Sequence, residues 1–288
     1  GCSVRLDDTR AQTGSDTGNG IAKLLGTSPG VRLALSAHMD CVDPCEGVEP
    51  IITDGVVRSA GDTVLGGDDK VGLAAILEAV RRLAESGDPH AEVDILFTVG
   101  EEQGLNGAKA LTREDVDADV CLVLDADGPI GGIVTSAPTH YTFETRFEGK
   151  AAHAGVEPEK GISAIAMAAD AIARMQLGRL DEGTTANIGT IQGGSATNVV
   201  APTCTVTGEC RSRDRERVEE VRAAMDAAMR DAATSFRGSA RISWTLAYEG
   251  FDVPAGTSAV LLVESACEDI GVRPVCFATG GGSDGNII

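Results

Sequence analysis

Val93-Asp94-Ile95-Leu96-Phe97-Thr98-Val99-Gly100-Glu101-Glu102-Gln103-Gly104 decides how the rest of the chain is read. Residues 93–99 are strand-sized and mostly apolar, as a buried strand of an open α/β sheet is. The run ends on two adjacent carboxylates held between glycines. Neighbouring Glu residues at the end of such a strand repel each other unless a cation or a proton intervenes. One of them can ligate a metal while the other, held off it, takes a proton from a bound water.

Outward from this stretch, three more polar clusters follow short apolar runs or open a helix. Leu33 to Ala37 leads into His38-Met39-Asp40. In an extended chain residues i and i+2 point to the same side, so Asp40 can hydrogen-bond one imidazole nitrogen of His38 while the other binds a metal. Taken alone, this pair also reads as an ordinary satisfied surface pair. Gly66-Gly67-Asp68-Asp69-Lys70 precedes apolar residues at 73, 76, 77, 80 and 83/84, one face of a helix over 70–85. A helix N-cap with acidic residues complementing the dipole explains one of the two Asp. The glycines allow the tight turn that would present the other to cations. Val120 to Leu124 is a further strand and ends in Asp125-Ala126-Asp127-Gly128. One His and several carboxylates at successive strand ends, where open α/β sheets place their sites, make the inventory of a two-metal hydrolase with N/O ligands.

The α/β rhythm fills the first third, with a hairpin over 51–57 turning at Asp54-Gly55. Near Ser136 the texture changes, because residues 141–147 alternate strictly, as a strand wet on one face does. A helix over 162–175, strands near 184–191 and 203–210, a helix over 214–234 and a strand near 240–247 compose an α+β sandwich. A helix over 258–270 and a strand at 275–278 then resume the α/β pattern. The expected fold class is α/β. Residues 1–136 and 249–288 form one domain, a mixed sheet flanked by helices, and residues 137–248 interrupt it.

The chain has 288 residues, 44 acidic against 24 basic, for a net charge of −20 with 42% hydrophobic residues. Such a surface repels nucleic acid and anionic membranes, so neither is expected as a partner. No apolar run approaches the ~20 residues of a membrane span, and no signal-peptide pattern opens the chain. Eight Cys without a C-x2-C pair suggest inert thiols in a reducing cytoplasm, with Cys41 and Cys45 notable beside the His38 motif. The glycine-rich 280–286 lacks the Gly-Lys-Ser/Thr ending of a phosphate loop.

In order, the clusters at 38–40, 66–70, 100–108 and 124–128 resemble those of the zinc-dependent exopeptidases related to peptidase T, aminoacylase and the glutamate carboxypeptidases. Residues 149–155, 184–189, 193–200 and 280–286 resemble the peptidase T-like branch, and the likeness covers almost the whole chain. It implies two zinc ions, with cobalt or manganese as substitutes. His38 and Asp125 would hold one ion, Glu102 the second, and Asp68 would bridge them. Asp40 would orient His38, Glu101 would be the general base, and the Asp68–Asp69 peptide bond would be cis. The interrupting domain would be a lid that forms a homodimer, with His153 stabilising the oxyanion. Asn198 and Arg211 would bind substrate backbone or carboxylate. Gly282, Ser283 and Asp284 would lie in the substrate loop. For Arg211 a salt bridge with Glu209 or Asp214 is the alternative.

The sequence departs from that pattern in several places. Cys41 replaces the usual Thr, and Asn286 stands where desuccinylase-like deacylases have Arg. A final zinc-ligand His is expected beyond Ile288, since neither His90 nor His140 suits the role, and a first helix is expected ahead of the opening residues. Either the chain is part of a longer protein or it is a truncated product. The implied activity is a cytoplasmic aminopeptidase that cleaves short peptides from the N-terminus. The rivals are an N-acyl-amino-acid deacylase or carboxypeptidase with the same metals, and a truncated metal-binding non-enzyme paralogue, against which the intact Glu101 argues.

Overall fold

The computed structural model describes residues 2–288. Along the chain the strands and helices are β1 (Cys2–Leu6), α1 (Arg10–Thr13), β2 (Gly20–Leu24), β3 (Leu33–His38), β4 (Pro50–Thr53), β5 (Val56–Ser59), α2 (Gly67–Ser86), β6 (Val93–Thr98), α3 (Asn106–Ala110) and β7 (Val120–Val123). There follow β8 (Gly132–Ala137), β9 (Thr139–Glu148), α4 (Ala164–Arg174), β10 (Gly178–Asp181), β11 (Thr184–Gly193), β12 (Thr203–Ser212), α5 (Arg215–Ser235), β13 (Ser239–Tyr248), β14 (Phe251–Asp252), α6 (Ser258–Asp269) and β15 (Val275–Ala278). The architecture is mixed α/β and divides into two units. Unit 1 runs to Ile133 and takes in Ala255–Cys276 and Ser283–Ile288, while unit 2 is Val134–Pro254 with Phe277–Gly282.

Unit 1 is built on a five-stranded sheet of order β1-β2-β6-β3-β7. β2 runs antiparallel to β1 and β6, whereas β3 is parallel to both β6 and β7. Both faces of β6 are covered, which explains its mostly apolar sequence, broken by the buried Asp94 and Thr98. Val93 and Ile95 pack with Ile76, Leu73 and Val80 of α2, while Leu96 packs on the other side with Ile21, Ala34 and Leu111. Ile76, 1% exposed, anchors the helix, and burying such a side chain stabilises by about 1.5–3 kcal/mol. Leu77, counted in the stripe from sequence, is 58% exposed and packs no core. The hairpin β4–β5 turns at Asp54 and Gly55, both at positive φ. The opening strand β1, Cys2-Ser3-Val4-Arg5-Leu6, alternates apolar and polar residues, yet all five are exposed at the sheet edge.

Unit 2 holds an antiparallel sheet of order β10-β11-β12-β9-β13. Residues 143 and 147 of β9 and 204, 206 and 210 of β12 point to one face, where Met167 and Ala168 of α4 and Val218, Met225 and Met229 of α5 complete the core. The other face is polar. Ser163 caps α4 by accepting from Ala166 N, and Asp214 caps α5 by accepting from Glu216 N and Arg217 N. The fifth strand, β10, is short and mostly exposed, so its sequence carries no pattern. A three-stranded sheet of order β14-β8-β15 also forms, and residues 277–282 cluster with unit 2. Thr279 N donates to Ser136 O there. All eight cysteines are free thiols. Among the described residues no helix is long and apolar enough to cross a membrane.

Candidate active site

Because β3, β6 and β7 are parallel, their carboxyl ends open on one edge of the sheet. His38 ends β3 opposite Thr98 of β6, Met39 N donates to Thr98 O, and Leu124 N donates to Ser36 O at 2.9 Å. This brings His38 and Asp125 together. Asp68 reaches them from the start of α2, where Asp68 and Asp69 are not yet helical and the peptide bond between them is cis. The two Asp divide the work foreseen for them. Asp69 is buried and accepts from Gly72 N at 3.0 Å, so it caps the helix, while Asp68 turns to His38. Gly72 admits no side chain, since a Cβ there would lie 2.5 Å from Asp69 Oδ1 and 2.8 Å from Leu124 O. Lys70 Nζ donates to Met39 O and Asp40 O, both at 2.9 Å, and ties the end of β3 to the helix.

One donor atom each from His38, Asp68 and Asp125 lies within 4.8 Å of the others. His38 Nε2 is 2.9 Å from Asp68 Oδ1 and 3.8 Å from Asp125 Oδ1, and its Nδ1 stands 3.5 Å from Asp40 Oδ1. Burial disfavours a charged imidazole. The carboxylates of Asp40, Asp68 and Asp125 outweigh it and lift His38 to about 10. Burial first, then Glu101, Asp68 and Asp69 working against the His38 charge, push Asp125 up to about 8. Carboxyls this crowded ionise reluctantly, and a bound cation removes that penalty. One imidazole nitrogen with carboxylate oxygens is a donor set that zinc, cobalt and manganese accept, so the residues fit a metal.

The two glutamates are held by Asp40. Its Oδ1 accepts from Glu101 N and its Oδ2 from Glu102 N, each at 3.1 Å. Burial first, with Asp284, Glu102 and Asp40 adding to it against the pull of His38, pushes Glu101 up to about 7. Glu102 lies outside the converging triad, but burial and then the field of Asp68 raise it as well. Asp284 is buried, and Thr98 Oγ1 donates to its Oδ2 at 2.5 Å. Ser283 caps the turn that carries Asp284, with its Oγ accepting from Gly285 N and its N–H donating to Asn286 Oδ1.

The remaining candidates belong to unit 2. His153 is exposed; its Nδ1 accepts from Gly155 N, and its backbone bridges to Val199 next to Asn198. Arg211 forms the ion pair with Glu209 weighed above, through Nε at 3.2 Å and Nη2 at 2.9 Å, whereas Asp214 is spent on the α5 cap. Gly282 leaves room for the Tyr248 ring, since a Cβ there would lie 2.3 Å from its Cζ.

A profile for a peptidase dimerisation domain matches residues 138–236, and one for peptidase family M28 matches residues 19–166. The chain is 43% identical to YqjE of Bacillus subtilis, covering all of this chain and 78% of that protein. It superposes on a crystal structure of aminopeptidase PepT from Bacillus cereus with a TM-score of 0.89 at 45% identity, over 99% of this chain and 77% of that one. It also superposes on a tripeptidase from Staphylococcus aureus with a TM-score of 0.94 at 39% identity, over 100% and 77%. The chain belongs to the peptidase T-like metallopeptidases. It spans 58% of the peptidase T sequence of Streptococcus pneumoniae that it matches.

In this peptidase T-like chain, several residues that shape the site escape a reading of motifs. Asn19 is fully buried and wraps the glutamate loop. Its Nδ2 donates to Asp7 Oδ2, Thr9 Oγ1 and Gly107 O, and its Oδ1 accepts from Val99 N. The only local sign of it is an Asn between two glycines at 18–20, which reads as a turn. In the sequence Lys70 is only the residue after two Asp, and its backbone partners Met39 and Asp40 lie 31 and 30 residues away.

Proposed function

We propose that this chain is a co-catalytic zinc aminopeptidase that removes residues from the N-terminus of short peptides, tripeptides foremost. The observation that carries the reading is the convergence of His38, Asp68 and Asp125 within 4.8 Å at parallel strand ends. His38 and Asp125 would hold one ion, Asp68 would be shared, and Glu102 would face the second. When bound, such ions supply Lewis acidity and make a water nucleophilic near neutral pH. Cobalt and manganese fit the same donors.

Glu101 takes the proton of the attacking water and returns it to the leaving amine. A carboxyl that burial lifts to about 7 both gains and gives up a proton readily at neutral pH. Asp40 acts through others: it fixes the His38 ring and, through two backbone N–H groups, the placement of Glu101 and Glu102. His153 supports the oxyanion, and Asn198 and Arg211 bind substrate backbone or carboxylate. Ser283, whose hydroxyl hydrogen is not used by its cap, and Gly282 line the substrate loop. The domain scheme is a catalytic domain of residues 1–136 and 249–288 interrupted by a lid, residues 137–248. A homodimer through that lid is supported by the dimerisation profile over 138–236. Eight unpaired thiols support a cytoplasmic setting.

The test is hydrolysis of a tripeptide panel by purified protein supplied with zinc, cobalt or manganese, beside the same peptides N-acylated. Release of the N-terminal residue from free-amine peptides alone supports the reading. Preference for the acylated set would make the chain a deacylase, and no turnover with metal bound would make it a binding protein.

A further inference from the structure

The chain leaves β3 and, from Cys41 to Cys45, forms no regular structure. Its two cysteines are both half-buried, and Val42, Asp43 and Pro44 between them are exposed. Cys41 Sγ lies over Gly66, the residue ahead of α2, where a Cβ would come within 3.1 Å of the sulfur. Lys70 Nζ is 3.9 Å from the same place and holds the start of the loop through Met39 O and Asp40 O. The far side is pinned as well, because Val64 N donates to Pro44 O at 2.9 Å. The Cys41 and Cys45 thiols hydrogen-bond with each other across this loop, which brings the two sulfurs into contact. Burial pushes the Cys41 thiol up, and Cys45 and the Glu102 charge add to the rise against the pull of Lys70.

The other thiols are placed differently. Cys204 and Cys210, the next nearest in sequence, lie on β12 in the core of unit 2, about 20 Å apart along the strand. Burial pushes Cys121 and Cys210 up to about 12, and Cys267 is buried too. Cys2 and Cys276 are exposed, on β1 and β15. A disulfide needs sulfurs that can close to bonding distance without moving the backbone far. Cys41 and Cys45 meet that condition while staying partly open to solvent.

We propose that Cys41 and Cys45 are a redox-modification site, a pair that a small-molecule disulfide closes to an intramolecular disulfide and a dithiol reopens. One cysteine, as thiolate, attacks the S–S bond of oxidised glutathione. A protein–glutathione bond forms, and the first glutathione leaves and takes up the proton the cysteine gave. The second cysteine then attacks the protein sulfur of that mixed disulfide. The Cys41–Cys45 bond forms, and the second glutathione leaves with the second proton. The two cysteines lose two electrons, and the oxidant gains them as two thiols. Such a bond is open in a reducing setting and closes when that setting turns oxidising. Neither thiol belongs to the converging triad, so the proposal does not depend on a bound metal or on the peptidase reading.

The experiment equilibrates the purified full chain with reduced and oxidised glutathione, alkylates the remaining thiols and digests with trypsin. Cleavage after Arg32 and Arg58 leaves Cys41 and Cys45, and no other cysteine, in one peptide of residues 33–58. The expected product is that peptide lighter by two hydrogens and free of alkylating reagent, returned to two alkylated thiols by dithiothreitol. Closure in the folded protein is favoured at least about tenfold over closure in urea, where the spacing alone brings the sulfurs together. In Cys45→Ser the oxidation of Cys41 stops at the glutathione adduct. The proposal is overturned if, once the exposed Cys276 has reacted, the folded wild type still shows residues 33–58 with both thiols alkylated or both carrying glutathione. It is also overturned if closure is as favourable in urea as in the folded protein. Both decisive readings are made on the wild type, so they stand even where Cys45→Ser does not fold.

Discussion

Asp40→Asn changes one oxygen into an amide nitrogen at the point where β3 meets the glutamate loop. In the native protein each carboxylate oxygen accepts one backbone N–H, from Glu101 and Glu102, and Oδ1 also faces His38. Asn keeps one acceptor and sets an NH2 against the other N–H. A hydrogen bond to a charged group contributes about 1.5–3 kcal/mol, so losing one and leaving a half-buried donor opposed costs about 2–3 kcal/mol at pH 7. Burial raises the Asp40 carboxyl, but the His38 side chain and the two backbone N–H groups outweigh it and hold the group below its ordinary range. Stability from a lowered carboxyl is complete above the unfolded value, roughly pH 4, and is lost as pH falls through the folded value. The wild-type advantage should therefore be full at pH 7 and shrink below about pH 4. Urea unfolding of metal-free protein across that range measures it, and a chelator competition should show metal binding about 10- to 100-fold weaker in the variant. A gap below about 0.5 kcal/mol at pH 7, or one that widens in acid, would refute the role given to Asp40.

Asn19→Asp replaces three buried donor contacts by an oxygen facing the Asp7 carboxylate and Gly107 O, and should destabilise by about 3–5 kcal/mol. A thermal melt within about 2 °C of wild type would contradict it. Gly282→Ala drives a Cβ into the Tyr248 ring and should cost about 1–3 kcal/mol by overpacking, read in urea unfolding, and an unchanged midpoint would count against that contact. Ile76→Ala empties the seam between α2 and the sheet and should cost about 2–5 kcal/mol in the same assay.

The site was legible where local rules govern it. His38 and Asp40 share a side because strand residues alternate, and the strand ends meet because parallel strands expose their carboxyl ends together. The division between Asp68 and Asp69 was half visible, since a helix start accounts for one capping Asp and leaves the other for different work. What the sequence hid depends on distant partners. Asn19 reads as a turn residue until Val99 and Gly107 fold around it, and Glu209 reads as a simple partner of Arg211 until β9 brings His140 to it. The edge strand β10 carries no apolar alternation, and β1 alternates over only five residues, all of them exposed, so neither stands out in the sequence. Leu77 shows the opposite error, an apolar residue in register with the stripe that faces water.

Glu101→Ala tests the central claim most directly, with tripeptide turnover and bound metal measured on the same preparation. General-base loss should lower kcat by about 10²- to 10⁴-fold while metal content stays at the wild-type level. Wild-type turnover in that variant would contradict the assignment of Glu101 as the base.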